Sequence, residues 1–280
     1  VWKTTRVAAL VLAPYVLISS LNPYRSAASE AVAPYVVTTR EDVQRMLDIA
    51  SVGPGDFLID LGSGDGRIPI AAAQRGALSL GVDIEPELVR LARQNAVRAD
   101  VDARAQFRVD NVFSTPLAEA SVVTLYLMPE VNLRLRPRLL CELEPGTRVV
   151  SNTFTLGEWA PDVHVPGRSS GGLLMWVVPK QVGGRWKMEG EDADLHIEQH
   201  FQKLLVTTRR KGDVLWQGEG IMRGSQFTWT GRDAEGRRYS ATARAAGDAL
   251  TGAIWHESPG EAPTRLPFTA QRTEAVTPCS

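Results

Sequence analysis

Short apolar runs recur along the first two-thirds of the chain, each followed by a turn and then by a segment with helical spacing. Strands are expected near 57–60, 78–83, 106–109, 122–127, 147–151 and 173–178. Helices are expected at 66–75, 86–98 and 129–143, the last two opened by Pro86 and Pro129 at their first turn. Thr38 and Glu41 form a capping-box pair that should start an earlier helix near Arg40, running to about residue 50. Strands alternating with helices of this length predict a parallel sheet covered on both faces.

The pattern changes after the stretch from Pro179 to Gly184. Residues 185–273 show no helical period. Short runs at 195–199, 201–207, 213–217, 226–230, 239–243 and 253–256 are separated by Gly, Asp and Arg turns. Six to eight short strands at this spacing predict a small antiparallel barrel or sandwich. The expected fold class is α/β, a doubly wound Rossmann-like sheet followed by an all-β domain. The expected divisions are 1–30, 31–180 and 181–280.

Residues 1–30 stand apart. Lys3 and Arg6 precede an apolar run that covers 7–18 and extends toward 21, and small residues follow at Ser26-Ala-Ala28. That order fits a secretory signal or a membrane-associating segment. The run is shorter than the roughly 20 residues that span a bilayer, and Pro14 interrupts it. A helix lying on the α/β domain is the alternative.

The segment from Phe57 to Arg67 carries the first chemistry. An apolar run ends in Asp60, and Gly62, Gly64 and Gly66 follow at alternate positions, with Asp65 among them. Such a turn, with free N–H groups at the start of the next helix, grips a nucleotide-like ligand at a strand's carboxyl end. A dinucleotide turn has the spacing G-x-G-x-x-G, and carboxylates would repel its pyrophosphate. Acids suit a cationic ligand rich in hydroxyls, and S-adenosylmethionine has an ammonium, a sulfonium and a ribose diol. Asp83 closes the next strand, 23 residues after Asp60, where a carboxylate holds ribose hydroxyls. Asp110 and Asn111 close the third strand and suit the adenine edge.

These residues resemble the class I S-adenosylmethionine-dependent methyltransferases. Three stretches, Pro34-Tyr-Val-Val-Thr38, Asp60-Leu-Gly-Ser-Gly-Asp-Gly-Arg67 and the segment from Val123 to Asn132, narrow the likeness. They resemble the lysine methyltransferases of the ATP synthase c-subunit and adenine nucleotide translocase, with their bacterial relatives, over about residues 33–160. Family members often have Pro-Thr-Pro where this chain has Val37-Thr38-Thr39. The resemblance implies cofactor contacts at Tyr35, Thr38, Asp60, Gly62, Gly64, Asp65, Gly66, Asp83, Ile84, Asp110 and Asn111. It also implies a protein lysine as acceptor. The acceptor end is expected after the fourth strand, with Tyr126 as a wall and Glu130 orienting the amine; Asn152 is a weaker candidate.

Composition adds exclusions. A hydrophobic share of 44% with 22% charged residues allows a sizeable core. A net charge of -1 argues against a nucleic-acid binder relying on a broadly positive surface, and no nucleic acid is indicated. Cys141 and Cys279 give no disulfide framework and no metal spacing. His196 and His200, four apart on an expected strand, are about 13 Å apart at ~3.3 Å per residue and cannot share one ion. The mildly basic run 201–240 is a solvated face or a partner surface. A small-molecule methyltransferase and an exported, non-catalytic binding protein are the alternatives. The signal-like start and the need for a cytosolic cofactor point to opposite compartments.

Overall fold

The computed structural model describes residues 38–167, 171–257 and 263–276. Residues 1–37 lie outside them, so the signal-like segment and Tyr35 do too. No helix among the described residues is long and apolar enough to cross a membrane.

The chain opens with α1 (Arg40–Ile49), β1 (Phe57–Leu61), α2 (Arg67–Gln74), β2 (Leu78–Asp83), α3 (Pro86–Arg98) and β3 (Ala105–Val109). β4 (Val122–Leu125), α4 (Pro129–Glu142), β5 (Arg148–Asn152), β6 (Val163–Val165) and β7 (Leu173–Val177) complete a seven-stranded sheet ordered β3-β2-β1-β4-β5-β7-β6. β1 to β5 run parallel, and β7 is antiparallel to both neighbours, β5 and β6. The parallel strands β1, β4 and β5 are buried almost throughout, which is why they read as continuous apolar runs. Apolar clusters fill both sides of the sheet, one around Leu61, Leu125 and Trp176, the other around Met46, Leu58 and Val150.

Three details differ from expectation. The cap of α1 is Thr39, whose hydroxyl accepts from Asp42 N at 3.1 Å, so the cap lies one residue later than the Thr38–Glu41 pair. β4 stops at Leu125, leaving Tyr126 in the loop beyond it. The three-residue β6 was not anticipated; its short run shows no decisive alternation.

β8 (Gly184–Met188), β9 (Asp194–His200), β10 (Lys203–Arg210), β11 (Asp213–Arg223), β12 (Gln226–Asp233), β13 (Arg238–Ala246), β14 (Ala249–Glu257) and β15 (Thr264–Ala275) form a closed barrel. The all-β expectation thus resolves into a barrel rather than a sandwich. Alternate residues point inward, as the burial pattern of β8 shows directly. Trp186, Trp216, Trp229, Phe227 and Phe268 fill the interior, and Trp255 is half-buried. An eight-stranded barrel is just wide enough for side chains to fill. His196 and His200 approach Glu198 and Glu158 respectively, each at 4.0 Å, and no metal-binding cluster occurs among the described residues.

Closure requires close strand contact. A Cβ on Gly218 of β11 would lie 2.0 Å from the carbonyl oxygen of Thr230 on β12. Gly218→Val should therefore destabilise the protein by about 1–3 kcal/mol, as overpacking does. Gly53→Ala, where a Cβ meets nothing within 4 Å, should stay near neutral. Chemical denaturation of both variants measures the difference, and equal midpoints would contradict this account of the barrel.

Candidate functional site

The glycine turn joins β1 to α2 at the carboxyl edge of the sheet. Gly62, Gly64 and Gly66 all have positive φ, at 82°, 53° and 83°. A Cβ on Gly62 would lie 2.7 Å from Leu127 Cδ2, and one on Gly66 would lie 2.7 Å from Phe107 Cε1. Handedness and space both demand glycine here.

The turn's amides are spent within the protein. Gly62 and Ser63 N–H donate to the Val82 carbonyl at 2.9 Å, and Gly66 N–H donates to the Ser63 carbonyl at 2.9 Å. Gly64 N–H donates to Asp83 Oδ2 at 2.9 Å, and Arg67 N–H reaches Asp65 Oδ1 at 3.4 Å. The expected cluster of free N–H groups is therefore largely absent. The end of β2 reaches up and takes them, leaving a poor cradle for phosphate.

Asp83 is nearly buried, and its Oδ1 also accepts from Glu85 N–H at 3.0 Å. Each carboxylate oxygen keeps a second lone pair for a ligand hydroxyl. Ile84, beside it, is 52% exposed, an unusual position for a large apolar side chain unless something covers it. Asp110 N–H donates to the Asp83 carbonyl at 3.0 Å, which brings the third acid to the same edge. Asp110 Oδ1 accepts from Asn111 N–H at 2.8 Å, and Asn111 Oδ1 accepts from Phe113 N–H at 2.9 Å. Both side chains thus brace their own loop and offer only their remaining polar atoms.

Asp60 lies beneath the turn rather than along it. Its side chain is buried, and Oδ1 accepts from the Thr124 hydroxyl at 2.6 Å. Burial pushes its pKa up to about 7, Thr124 opposes that, and the Asp83 and Asp65 carboxylates add to it. Asp65 is held by Arg67, whose Nε donates to Oδ1 at 2.9 Å. The same guanidinium donates to the Thr38 carbonyl at 2.5 Å, tying the entry of α1 to the turn. Arg67 and Thr124 were not singled out in the sequence. Arg67 stood inside the motif, and Thr124 is the residue that parallel pairing places beside Asp60.

The residues expected at the acceptor end lie at the ends of β4 and β5. Tyr126 stacks on Phe154 with ring centroids 6.2 Å apart. Glu130 is exposed in the first turn of α4. Asn152 is nearly buried, with Oδ1 accepting from the Thr153 hydroxyl at 3.1 Å. Thr153 adopts φ +70°, a strained conformation for a β-branched residue of the kind that gathers at functional sites. Phe154 escaped sequence analysis because it belongs to a loop without periodicity.

These residues fit S-adenosylmethionine. The acids gather where a cation and a diol would sit, an exposed apolar side chain flanks them, and the turn offers few phosphate donors. Sheet order and turn together define a class I S-adenosylmethionine-dependent methyltransferase.

Residues 60–163 match the ANTKMT methyltransferase domain. A protein-lysine N-methyltransferase of Saccharolobus islandicus is 45% identical over 130 residues, covering 46% of this chain and 81% of that protein. The human lysine N-methyltransferase of the ATP synthase c-subunit is 34% identical over 134 residues, covering 48% of this chain and 57% of that protein. Among solved structures, an RNA methyltransferase from Salinibacter ruber in complex with S-adenosyl-L-homocysteine is 46% identical. Its TM-score is 0.51, and the match covers 52% of this chain and 96% of that one. The chain belongs to the ANTKMT methyltransferase family, and its cofactor is S-adenosylmethionine.

The state of Asp60 has a consequence in pH. Its folded pKa is raised from 3.8 to about 7, so between those values the folded state holds a proton that the unfolded chain releases. Apoprotein stability from this group should fall as pH rises from about 4 to about 7. A bound cation favours the ionised carboxylate, so cofactor affinity should rise as pH climbs through 7, with proton release below it. Calorimetry in buffers of different ionisation enthalpy, at pH 6 and 8, measures that release. Asp60→Asn should abolish it, and proton uptake in the wild type would contradict the assignment.

Proposed function

We propose that this methyltransferase modifies a lysine amine on a protein. One observation carries the acceptor class: the stacked Tyr126 and Phe154 with exposed Glu130 at the ends of β4 and β5, which suits a slender cationic side chain. The similarity to a protein-lysine N-methyltransferase at 45% identity supports it.

S-adenosylmethionine, when bound, supplies an activated methyl group on a sulfonium with a thioether leaving group. The chain's task is alignment, which can lower a barrier by about 7–11 kcal/mol. Asp83 receives the ribose hydroxyls, Ile84 covers the adenine, and Asp110 and Asn111 border its edge. Thr38 and the glycine turn would enclose the methionine part, and Tyr35, outside the described residues, joins them by the resemblance alone. Asp60 and Asp65 lend negative charge from beneath and beside it, without displacing Thr124 or Arg67.

The acceptor amine must lose a proton, since its pKa in water is about 10.4. The Tyr126–Phe154 wall lowers it by excluding water. Glu130 would raise it, because a carboxylate stabilises ammonium. Its exposed position therefore suits first capture of the charged lysine better than proton removal.

A second reading has its own observation. The Salinibacter ruber neighbour is described as an RNA methyltransferase. Association with a membrane through residues 7–21 also belongs to the proposal and rests on the sequence.

Incubation of lysate with radiolabelled cofactor, then separation into protein, RNA and small-molecule fractions, tests the acceptor. Label should follow protein and yield methylated lysine on hydrolysis. Label confined to RNA or metabolites overturns the lysine reading.

Asp83→Ala should weaken S-adenosylmethionine binding by about 10–100-fold, the effect of removing hydrogen bonds to a charged group. Tyr126→Ala should leave that affinity nearly unchanged while cutting methyl transfer. Calorimetry and initial rates distinguish the two, and an unaltered affinity in Asp83→Ala would refute the ribose assignment.

A further inference from the structure

We infer that the barrel's β9–β10 turn, Phe201 and Gln202, positions the acceptor wall of the catalytic sheet. This rests on placing the acceptor at the Tyr126–Phe154 pair. It gives the barrel a role in the reaction although the barrel contributes no residue to the cofactor turn.

The connection runs along one strap of chain. After β5 the backbone passes through Thr153 and Phe154, then through Leu156, Trp159 and Ala160 before β6. Near the site it is pinned by Asn132 of α4, a fully buried residue. The Asn132 amide donates to the carbonyls of Phe154 at 3.4 Å and Thr155 at 3.5 Å. Farther along, Trp159 is fully buried and stacks on Phe201, with centroids 6.1 Å apart and planes 16° apart. Gln202 Nε2 donates to the Ala160 carbonyl at 2.6 Å, while the Gln202 carbonyl accepts from Met222 N–H at 2.6 Å within the barrel. Arg136 of α4 bridges the two, donating to the Leu156 carbonyl at 3.1 Å with its guanidinium 5.3 Å from the Phe201 ring centroid.

Two features mark this turn as more than a hairpin end. Phe201 packs with the apolar cluster of the catalytic sheet, not with that of the barrel. It also adopts φ +54°, a left-handed conformation that a bulky aromatic residue rarely takes. The β10–β11 hairpin also holds a non-glycine residue at positive φ, Lys211, but its side chain is exposed instead of packed on another sheet. The Phe201 ring is held in a costly conformation and projected into the other sheet. Thr153, at the opposite end of the strap, is left-handed as well. Both strained residues therefore bracket the segment that sets Phe154 against Tyr126.

The test uses the full-length protein. Phe201→Gly removes the ring while suiting the positive φ, so the turn itself persists. Amide hydrogen exchange across residues 153–160 should accelerate at least about 10-fold, the signature of lost local protection. Exchange in the glycine turn and the S-adenosylmethionine affinity should stay unchanged. Gln202→Ala should give a smaller acceleration in the same segment, and Phe201→Tyr should restore protection. With poly-L-lysine as acceptor probe, Phe201→Gly should raise KM several-fold with kcat little changed. Absence of wild-type transfer to this probe would count against the lysine reading alone, because the exchange measurement needs no acceptor. Unchanged exchange at 153–160 in Phe201→Gly, or equal acceleration throughout the protein, overturns the positioning role.

Discussion

The site depends on the carboxyl end of β2. The Val82 carbonyl and the Asp83 carboxylate take the amides of Gly62, Ser63 and Gly64, so one strand end fixes the turn that follows its neighbour. Parallel pairing makes this possible, placing Leu61 beside Val82 with the turn directly above. Because Asp83 is already bonded to two amides, it is oriented before any ligand arrives. The same bonds remove donors that a phosphate would need. Ligand class follows from where the backbone hydrogen bonds go, not from glycine spacing alone.

Negative charge is the second constraint. The Asp65 and Asp83 carboxylates both act on Asp60, and the protein holds each of the three differently. Asp65 is neutralised by Arg67, Asp83 is stabilised by amides, and Asp60 is buried against Thr124. Asp60 is pushed toward neutrality, because one hydroxyl does not offset its loss of water. A bound cation relieves that penalty. The arrangement favours a positively charged ligand through energy held in the protein before binding as well as through direct contact.

Most of this was legible in the sequence where a local pattern had one physical cause. The parallel strands β1, β4 and β5 are buried along their length, so their apolar runs marked them. Asp60, Asp83 and Asp110 ended successive strands and so came to one edge. What escaped depended on pairing between distant segments. Thr124 matters only because β4 lies beside β1, and Phe154 only because its loop folds back on Tyr126. Arg67 looked like an ordinary helix start until its guanidinium was seen bridging Asp65 and Thr38. In the barrel, β8 and β15 went unassigned. β15 contains Pro267 and several charges, tolerated because the strand is exposed over 264–267 and 273–275 and buries only Phe268 and Ala270.

The two ends of the site are built by different means. The proposed adenosine end rests on strand termini and a glycine turn whose amides are internally bonded, so little freedom remains there. The proposed acceptor end is made from loops after β4 and β5, and loops hold their shape only when something outside them does the holding. Here that support comes from Asn132 on one side and the barrel's Phe201 and Gln202 on the other. Left-handed non-glycine residues occur on the strap at Thr153 and against it at Phe201, and none occurs in the β1–α2 turn. Backbone strain persists only where surrounding contacts over-determine it, and the strap between the two sheets is where those contacts converge.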